Sequence, residues 1–285
     1  MPSKLVSLTD AVAGVEDGSH VALGGFAITR CVVAAVHELV RAEKRDLLVS
    51  QVIGGMDTDL LVGSGCVRKL VYSGGSLDRF GSLYAVNHAT LSGTLEVEEY
   101  SSLALTFRFH AAALGLPFLP TRSMLGSDLL EELVARDGDV RLERDPFTGQ
   151  PVVVLAPLRP DVAFVHVDVA AEDGYAVIGG PTWSIRETAM AARRTIVLAE
   201  EVVPAGTLPP DAVTILGPSV TAVVHAPFAA HPTAVAGHYD YDRAHLELYA
   251  AAAREGGEAY ARYLDEYVRG VSSHEEYLER TGVVV

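Results

Sequence analysis

Asp17-Gly18-Ser19-His20-Val21-Ala22-Leu23-Gly24-Gly25-Phe26 contains the first strand signal of the chain. Asp17-Gly18 turns the backbone into the apolar run His20 to Leu23, and a glycine pair closes that run. From Val32 to Lys44, the residues Val32, Val33, Val36, Leu39 and Val40 recur at helical spacing. Arg41, Lys44 and Arg45 crowd the end of that segment, where a helix dipole favours cations. Leu47 to Ile53 reads as a second buried strand, closed by Gly54-Gly55. Asp57 to Val62 suits a short helix, and Val67 to Tyr72 a third strand before Ser73-Gly74-Gly75. On the near side, Ser7-Leu8-Thr9-Asp10 caps a short helix ending at Gly14. Strand, helix, strand, helix, strand predicts an open, mostly parallel α/β sheet with crossover helices.

The middle continues in kind. Thr94 to Glu98 is a short strand, and Ser101 to Leu114 a helix with Leu103, Phe107, Ala111 and Leu114 on one face. Pro117 and Pro120 end it, and Arg141 to Leu155 reads as a hairpin around Asp145-Pro146-Phe147-Thr148-Gly149. Asp161 to Val167, Thr195 to Leu198, Val213 to Leu216 and Val220 to His225 are further buried strands, with a helix near Ser184 to Arg193. Tyr241 to Tyr267 predicts one long amphipathic helix. A last helix starts at Ser272 or Ser273, where Glu275 or Glu276 completes a capping box. The expected organisation is an α/β domain over residues 1–240 with a C-terminal helical extension, 241–285, packed on it.

Composition sets the outer limits. The 285 residues carry 22 Lys plus Arg against 37 Asp plus Glu, a formal charge of −15. That balance argues against nucleic acid or an anionic membrane as a main partner. The apolar fraction is 49%, which is globular. No apolar run approaches the roughly 18 residues that span a bilayer. Met1-Pro2-Ser3-Lys4 has no apolar signal region, so a cytoplasmic protein is expected, with Cys31 and Cys66 as reduced thiols. The 3 Lys against 19 Arg and the single Asn87 reflect genome composition.

Generic motifs are few. There is no phosphate loop of the Walker type, no Gly-x-Gly-x-x-Gly after a strand, no Gly-x-Ser-x-Gly and no His-Glu-x-x-His. His231, His238 and His245 are spaced by seven, with Asp240 and Asp242 nearby, yet Pro232 takes them off a single helix face. Hydrogen-bonding histidines are expected there, and no metal. Cys31, flanked by Val32 and Val33, reads as a small buried hydrophobe. Glu96, Glu98 and Glu99 lie where a strand passes into a helix, so Glu99 is a candidate base or orienting group beside its capping role. Tyr260, Tyr263 and Tyr267 form a helical stripe that packs on the body or on another subunit. The chemistry-bearing feature that remains is a glycine pair at each of three strand ends, where open α/β sheets bind ligands.

The detailed string is more specific. Asp17-Gly18, two residues, three apolar residues and Gly24-Gly25-Phe26 resemble the signature of class I CoA-transferases. Arg30 resembles the glutaconate-type A subunits, which carry Arg followed two residues later by Pro; here that second position is Val32. Gly54-Gly55 with Asp59-Leu60-Leu61 resembles the family's second strand end. Glu96 to Ser101 with Arg108, Ala111 to Gly115 and Pro117 to Arg122 resemble its middle segment. Asp161 to His166, Ala226-Pro227, His231-Pro232 and Tyr239 to Asp242 resemble its later segments. The resemblance, to the A subunit of glutaconate CoA-transferase, spans almost the entire chain.

That resemblance implies a chain that needs a B subunit, as αβ or α2β2. In the family a glutamate of the B half, in a Ser-Glu-Asn-Gly motif absent here, attacks an acyl-CoA. An anhydride and then a glutamyl-CoA thioester follow, and a short dicarboxylic or oxo acid takes the CoA. Coenzyme A is thus a substrate, with no metal. The A half would supply the other wall. Gly24, Gly25 and Phe26 are the candidate acyl-contacting and oxyanion loop. Arg30 is the candidate clamp for a substrate carboxylate. Gly54, Gly55, Ser73, Gly74 and Ser101 would line neighbouring strand ends, with Glu99 in a supporting catalytic role. None of the clusters Arg41-Lys44-Arg45, Arg68-Lys69 and Arg193-Arg194 is assigned to CoA. The alternatives are a relative that hydrolyses or decarboxylates a CoA thioester, through Glu98 or Glu99, and a non-catalytic ligand-binding module.

Overall fold

The computed structural model describes residues 2–283. Its strands are β1 (His20–Leu23), β2 (Leu47–Ser50), β3 (Val67–Tyr72), β4 (Glu96–Glu99), β5 (Leu119–Thr121), β6 (Val140–Arg144), β7 (Pro151–Leu155), β8 (Val162–Ala171), β9 (Ala176–Val177), β10 (Arg194–Val203) and β11 (Ala222–His225). The main sheet runs β11-β10-β8-β1-β2-β3-β4, all parallel, with the two-residue β9 antiparallel on β8. Such strands need cover on both faces, and β8 is buried at nine of its ten residues. β5, β7 and β6 make a separate antiparallel sheet.

The chain leaves β1 toward β4 and later returns to build β8, β10 and β11 on the other side. The direction therefore reverses at β1, and the crevice outside the carboxyl ends of β1 and β8 is where this topology places a ligand. Register follows burial: Val21 sits opposite Val49 on one side and Val162 on the other. Val21 and Leu23 join one core and Ala22 the other, as the two-residue strand period requires.

One face is covered by α1 (Leu8–Ala13), α2 (Val33–Arg41), α3 (Met56–Gly63) and α4 (Tyr84–Leu91). The other takes α5 (Ser102–Ala113), α6 (Asp128–Ala135) and the small antiparallel sheet. α7 (Ile185–Ala191) lies between β9 and β10, and α8 (Arg243–Glu255), α9 (Gly257–Leu264) and α10 (His274–Thr281) end the chain. Tyr249, Tyr260 and Tyr263 are buried in the same core as α2 and α3, so the tyrosine stripe packs on the body. No helix among the described residues is long and apolar enough to cross a membrane.

Several expectations need correction. The tail is not one helix: Gly256, at φ +71° and ψ −164°, takes a conformation closed to other residues and divides it into α8 and α9. The expected face of α5 is only partly right: Ala111 is buried and Phe107 packs on the core. Leu103 and Leu114 are more than half exposed, while Ala104, Leu105, Arg108 and Phe109 are buried. Arg108 can face inward because Tyr100, Asp139 and the Ala156 carbonyl take up its donors. Val213–Leu216 forms no strand; Ile215 makes one isolated bridge to Ala176. The expectations also omit α4, α6 and β5, although Leu129, Leu130, Leu133 and Val134 give α6 an apolar face.

Candidate functional site

β1 ends in a turn that backbone bonds define closely. Gly24 N–H donates to the Phe164 carbonyl, Phe26 and Thr29 exchange both backbone bonds, and Arg30 N–H donates to Ala234. Gly25 has φ +96°, and a Cβ there would lie 2.6 Å from the Arg30 carbonyl oxygen. Ala27 and Arg30 also hold positive φ, both at 53°. Strain of this kind persists only where surrounding contacts over-determine it, and it clusters at ligand sites. The next strand end packs directly on the turn: a Cβ at Gly55 would collide with the Ala27 carbonyl.

Arg30 does not serve as an open carboxylate clamp. It is 1% exposed, its Nη1 pairs with Asp168 Oδ1 at 2.6 Å, and its Nη2 donates to the Gly179 carbonyl at 2.7 Å. A guanidinium taken out of water must be paired, and Asp168 in the second half of β8 is its partner. The same Nη1 lies 3.4 Å from His166 Nδ1, and His166 Nε2 lies 2.6 Å from Glu200 Oε1. Burial pushes the His166 pKa down, so the neutral ring accepts from Arg30 and donates to Glu200. Burial opposes the Glu200 charge, but bonds from His166, Tyr239 and Phe228 N–H hold its carboxyl below the usual range. Asp168 also accepts from Gly179 N–H. Arg30 thereby anchors the segment that leads to Trp183, whose ring stacks on Phe26 with centroids 4.1 Å apart.

Below the turn lies a second buried group. Gln51, Asp57 and Thr58 are all 0% exposed. Gln51 Nε2 donates to the Gly24 carbonyl at 2.7 Å and to Asp57 Oδ2 at 3.1 Å, and its Oε1 accepts from Thr58 Oγ1. Val32 N–H donates to Asp57 Oδ2 at 3.1 Å. The absent proline thus has a physical meaning: valine supplies a donor that proline lacks. Burial pushes Asp57 up to about 6 despite these bonds. Cys31 is fully buried beside them and its thiol pKa is raised by burial, which suits a packing role.

The far strand ends are more open. Gly54 N–H donates to the Gly74 carbonyl, and Ser73 Oγ donates to the Val52 carbonyl and lies 3.0 Å from Ser102 Oγ. Ser101 caps α5 by accepting from Ala104 N–H, and its Oγ lies 2.7 Å from Ser123 Oγ. Glu99, exposed and opposite Tyr72, lines a cavity of about 460 Å³ with Tyr72, Asn87 and Arg136. It sits three strand spacings from β1, roughly 14 Å. Glu98 lies on the opposite face of β4, bonded to Lys69 at 2.8 Å and to Tyr100. Burial opposes its charge, yet those bonds keep its pKa low.

The structure therefore gathers Gly24, Gly25, Phe26, Gly54, Gly55, Ser73, Gly74 and Ser101 along one rim, with Arg30 behind it and Glu99 to the side. Gln51, Asp57, Asp168, His166, Glu200 and Trp183 escaped the sequence reading, since no local pattern marks them. Of the basic clusters, Lys69 is held by Glu96 and Glu98, Arg41 by Glu38 and Arg194 by the Gly14 carbonyl. His231 bonds Tyr277 and Asp242, and His245 bonds Tyr263.

Residues 5–226 match the Coenzyme A transferase family. The A subunit of glutaconate CoA-transferase from Acidaminococcus fermentans is 34% identical over 98% of this chain and 92% of its own. The crystal structure of that transferase superposes with a TM-score of 0.93, covering 98% of this chain and 93% of that one. The A subunit of 3-oxoadipate CoA-transferase from Pseudomonas knackmussii is 34% identical over 96% of this chain and 97% of its own. An uncharacterised protein of Archaeoglobus fulgidus is 36% identical over 99% of this chain, which spans 63% of that protein. With this fold, this rim and these relatives, the chain belongs to the coenzyme A transferase family, among its A subunits.

Proposed function

We propose that this chain is the A subunit of a heteromeric, cytoplasmic CoA-transferase. It works with a B subunit, as αβ or α2β2, to move CoA between an acyl-CoA and a short dicarboxylic or oxo acid. The observation that carries this reading is the state of the carboxylates around the rim. Asp168 is paired with Arg30, Glu200 with His166, and Glu98 with Lys69; Asp57 is buried under the turn. A nucleophile must be free to leave its partners and reach the acyl carbon, and none of these is. Glu99 is exposed but stands three strand spacings, roughly 14 Å, from β1, so the attacking carboxylate is assigned to the B subunit, where it would carry the glutamyl-CoA thioester. The glycine rim of this chain supplies backbone N–H donors to the acyl oxyanion, and Phe26 with Trp183 forms a wall against the acyl chain. Residues 241–285 act as part of the same unit as 1–240, through the tyrosines they share with its core.

The hydrolase and decarboxylase alternatives need Glu98 or Glu99 as a base. Glu98 is held ionised by Lys69 and Tyr100, which makes it a weak base, and Glu99 faces the other side of β4. The test is an intact-mass spectrum of the complex after brief exposure to acyl-CoA without acceptor acid. A CoA-sized adduct on the B subunit, and none on this chain, is expected. Consumption of acyl-CoA with no adduct would overturn the transferase reading.

A further inference from the structure

We infer that Gln51 is a positioning residue, which turns the Gly24–Gly25 peptide so that the Gly25 N–H is presented to the reacting acyl carbonyl. The inference rests on the proposed role of the glycine rim as an oxyanion donor. In a trans peptide the C=O and the next N–H point in opposite directions. Gln51 draws the Gly24 carbonyl inward, so the Gly25 N–H of the same peptide points away from the Gln51 network. Gly24 N–H is spent on Phe164 and Phe26 N–H on Thr29, while Gly25 N–H has no hydrogen-bond partner among the described residues.

The amide of Gln51 has one usable orientation. Its nitrogen faces two acceptors, Gly24 O and Asp57 Oδ2, and its oxygen faces the Thr58 hydroxyl. Flipping it would set the side-chain oxygen against two other oxygens, Gly24 O and Asp57 Oδ2. Asp57 is fixed in turn by Val32 N–H on one oxygen and Thr58 N–H on the other. The starts of α2 and α3 thus hold the side chain that holds the turn. The side chains of Gln51, Asp57 and Thr58 are fully buried, where an unpaired polar group is costly and a paired one is rigid. The titratable groups facing Gln51 are Asp57 and, beyond it, Cys31.

The test uses the complex with the B subunit. Gln51→Glu keeps the shape, but the ionised carboxylate it introduces cannot donate to Gly24 O. At pH 8 kcat should fall about 100-fold, the cost of losing one oxyanion donor, with KM for acyl-CoA changed less than about twofold. Lowering the pH should restore kcat in this variant as the new carboxyl regains a proton to donate. Thr58→Val, which frees the amide to turn, should lower kcat about 10-fold and serves if the first variant does not fold. A second readout is the infrared band of a 13C-carbonyl ketone analogue of an acyl-CoA, with CH2 in place of the thioester sulphur. The bound band should lie below its free position in the parent complex and move back in both variants. Variants that fold and retain both kcat and the band shift would overturn the role of Gln51. Loss of kcat that tracks a lowered Tm, with no pH rescue and the carbonyl band left at its parent position, would overturn it in favour of a structural role. Absence of any band shift in the parent complex would instead sink the reading of the glycine rim itself.

Discussion

The turn after β1 and the ends of β3 and β4 lie on one rim, yet they are built differently. Around Gly24–Arg30 nearly every polar group is buried and paired, and three residues hold positive φ. Around Ser73, Ser101 and Glu99 the groups are half-buried or exposed, and the two serines bond to the nearby hydroxyls of Ser102 and Ser123. The topology explains the contrast. β1 is central and flanked by β2 and β8, whereas β4 is a four-residue edge strand with charged side chains, as edges tend to be. A rigid side can hold a donor in place before substrate arrives; an open side is where substrate and a partner chain can enter.

The comparison would break first at Arg30. Arg30→Ala leaves Asp168 charged and buried, a loss of about 3–5 kcal/mol and a Tm drop on the order of 10 °C. Arg30→Met combined with Asp168→Asn removes both charges and should recover most of it in a thermal melt. If Arg30→Ala instead kept its Tm and raised only KM for the free acid, Arg30 would be a substrate clamp after all. Next come two glycines of similar φ, Gly25 at +96° and Gly74 at +92°. Gly25→Ala drives a Cβ into the Arg30 carbonyl and should lower kcat about 100-fold or more. Gly74, at φ +92° with nothing within 4 Å of an added Cβ, should cost only about 1 kcal/mol as Gly74→Ala, with kcat within a few-fold. Steady-state kinetics on the pair would test whether space, not dihedral angle, separates the two sides.

The two sides should also differ in pH response. Asp57 is raised from 3.8 to about 6, so its charged form costs stability above pH 6, and that cost is relieved as pH falls from 6 to 4. The shift corresponds to roughly 3 kcal/mol. Glu98 is lowered, so its contribution is present above its unfolded value and is lost as pH falls through its folded one. Denaturant melts between pH 7 and 4 should show the Asp57 gain in the parent chain and not in Asp57→Asn. A parent chain with no such difference from the variant would show that Asp57 is not strained by burial. The smallest effect is expected at Glu99, which stands at the edge of the rim, three strands from β1. Glu99→Gln should change transfer less than about threefold and lower the Tyr72 pKa from about 12, to which burial and then Glu99 raise it. Loss of all activity in that variant would return Glu99 to the chemistry.

What the residues determined by themselves was local and periodic. The glycine-ended apolar runs, the helices between them and the caps at Ser7, Ser101 and Ser273 all depend on neighbours a few positions away. Those signals were enough for a parallel sheet and for the glycine rim, and the motif string carried the family. Tertiary structure decided what joins residues far apart. By sequence Arg30 is a hand for substrate, since the family resemblance places it after the glycine loop and a guanidinium fork pairs with a carboxylate; Asp168, 138 positions later, takes that hand. Gln51 follows the apolar strand β2 and looks unremarkable until Gly24, 27 positions earlier, is laid against it by the β1–β2 pairing. The buried face of α5 likewise follows from Asp139 and Ala156, which neutralise and bond Arg108. A polar side chain's role depends on which partner removes its need for water, and that partner is chosen by the fold, not by spacing along the chain.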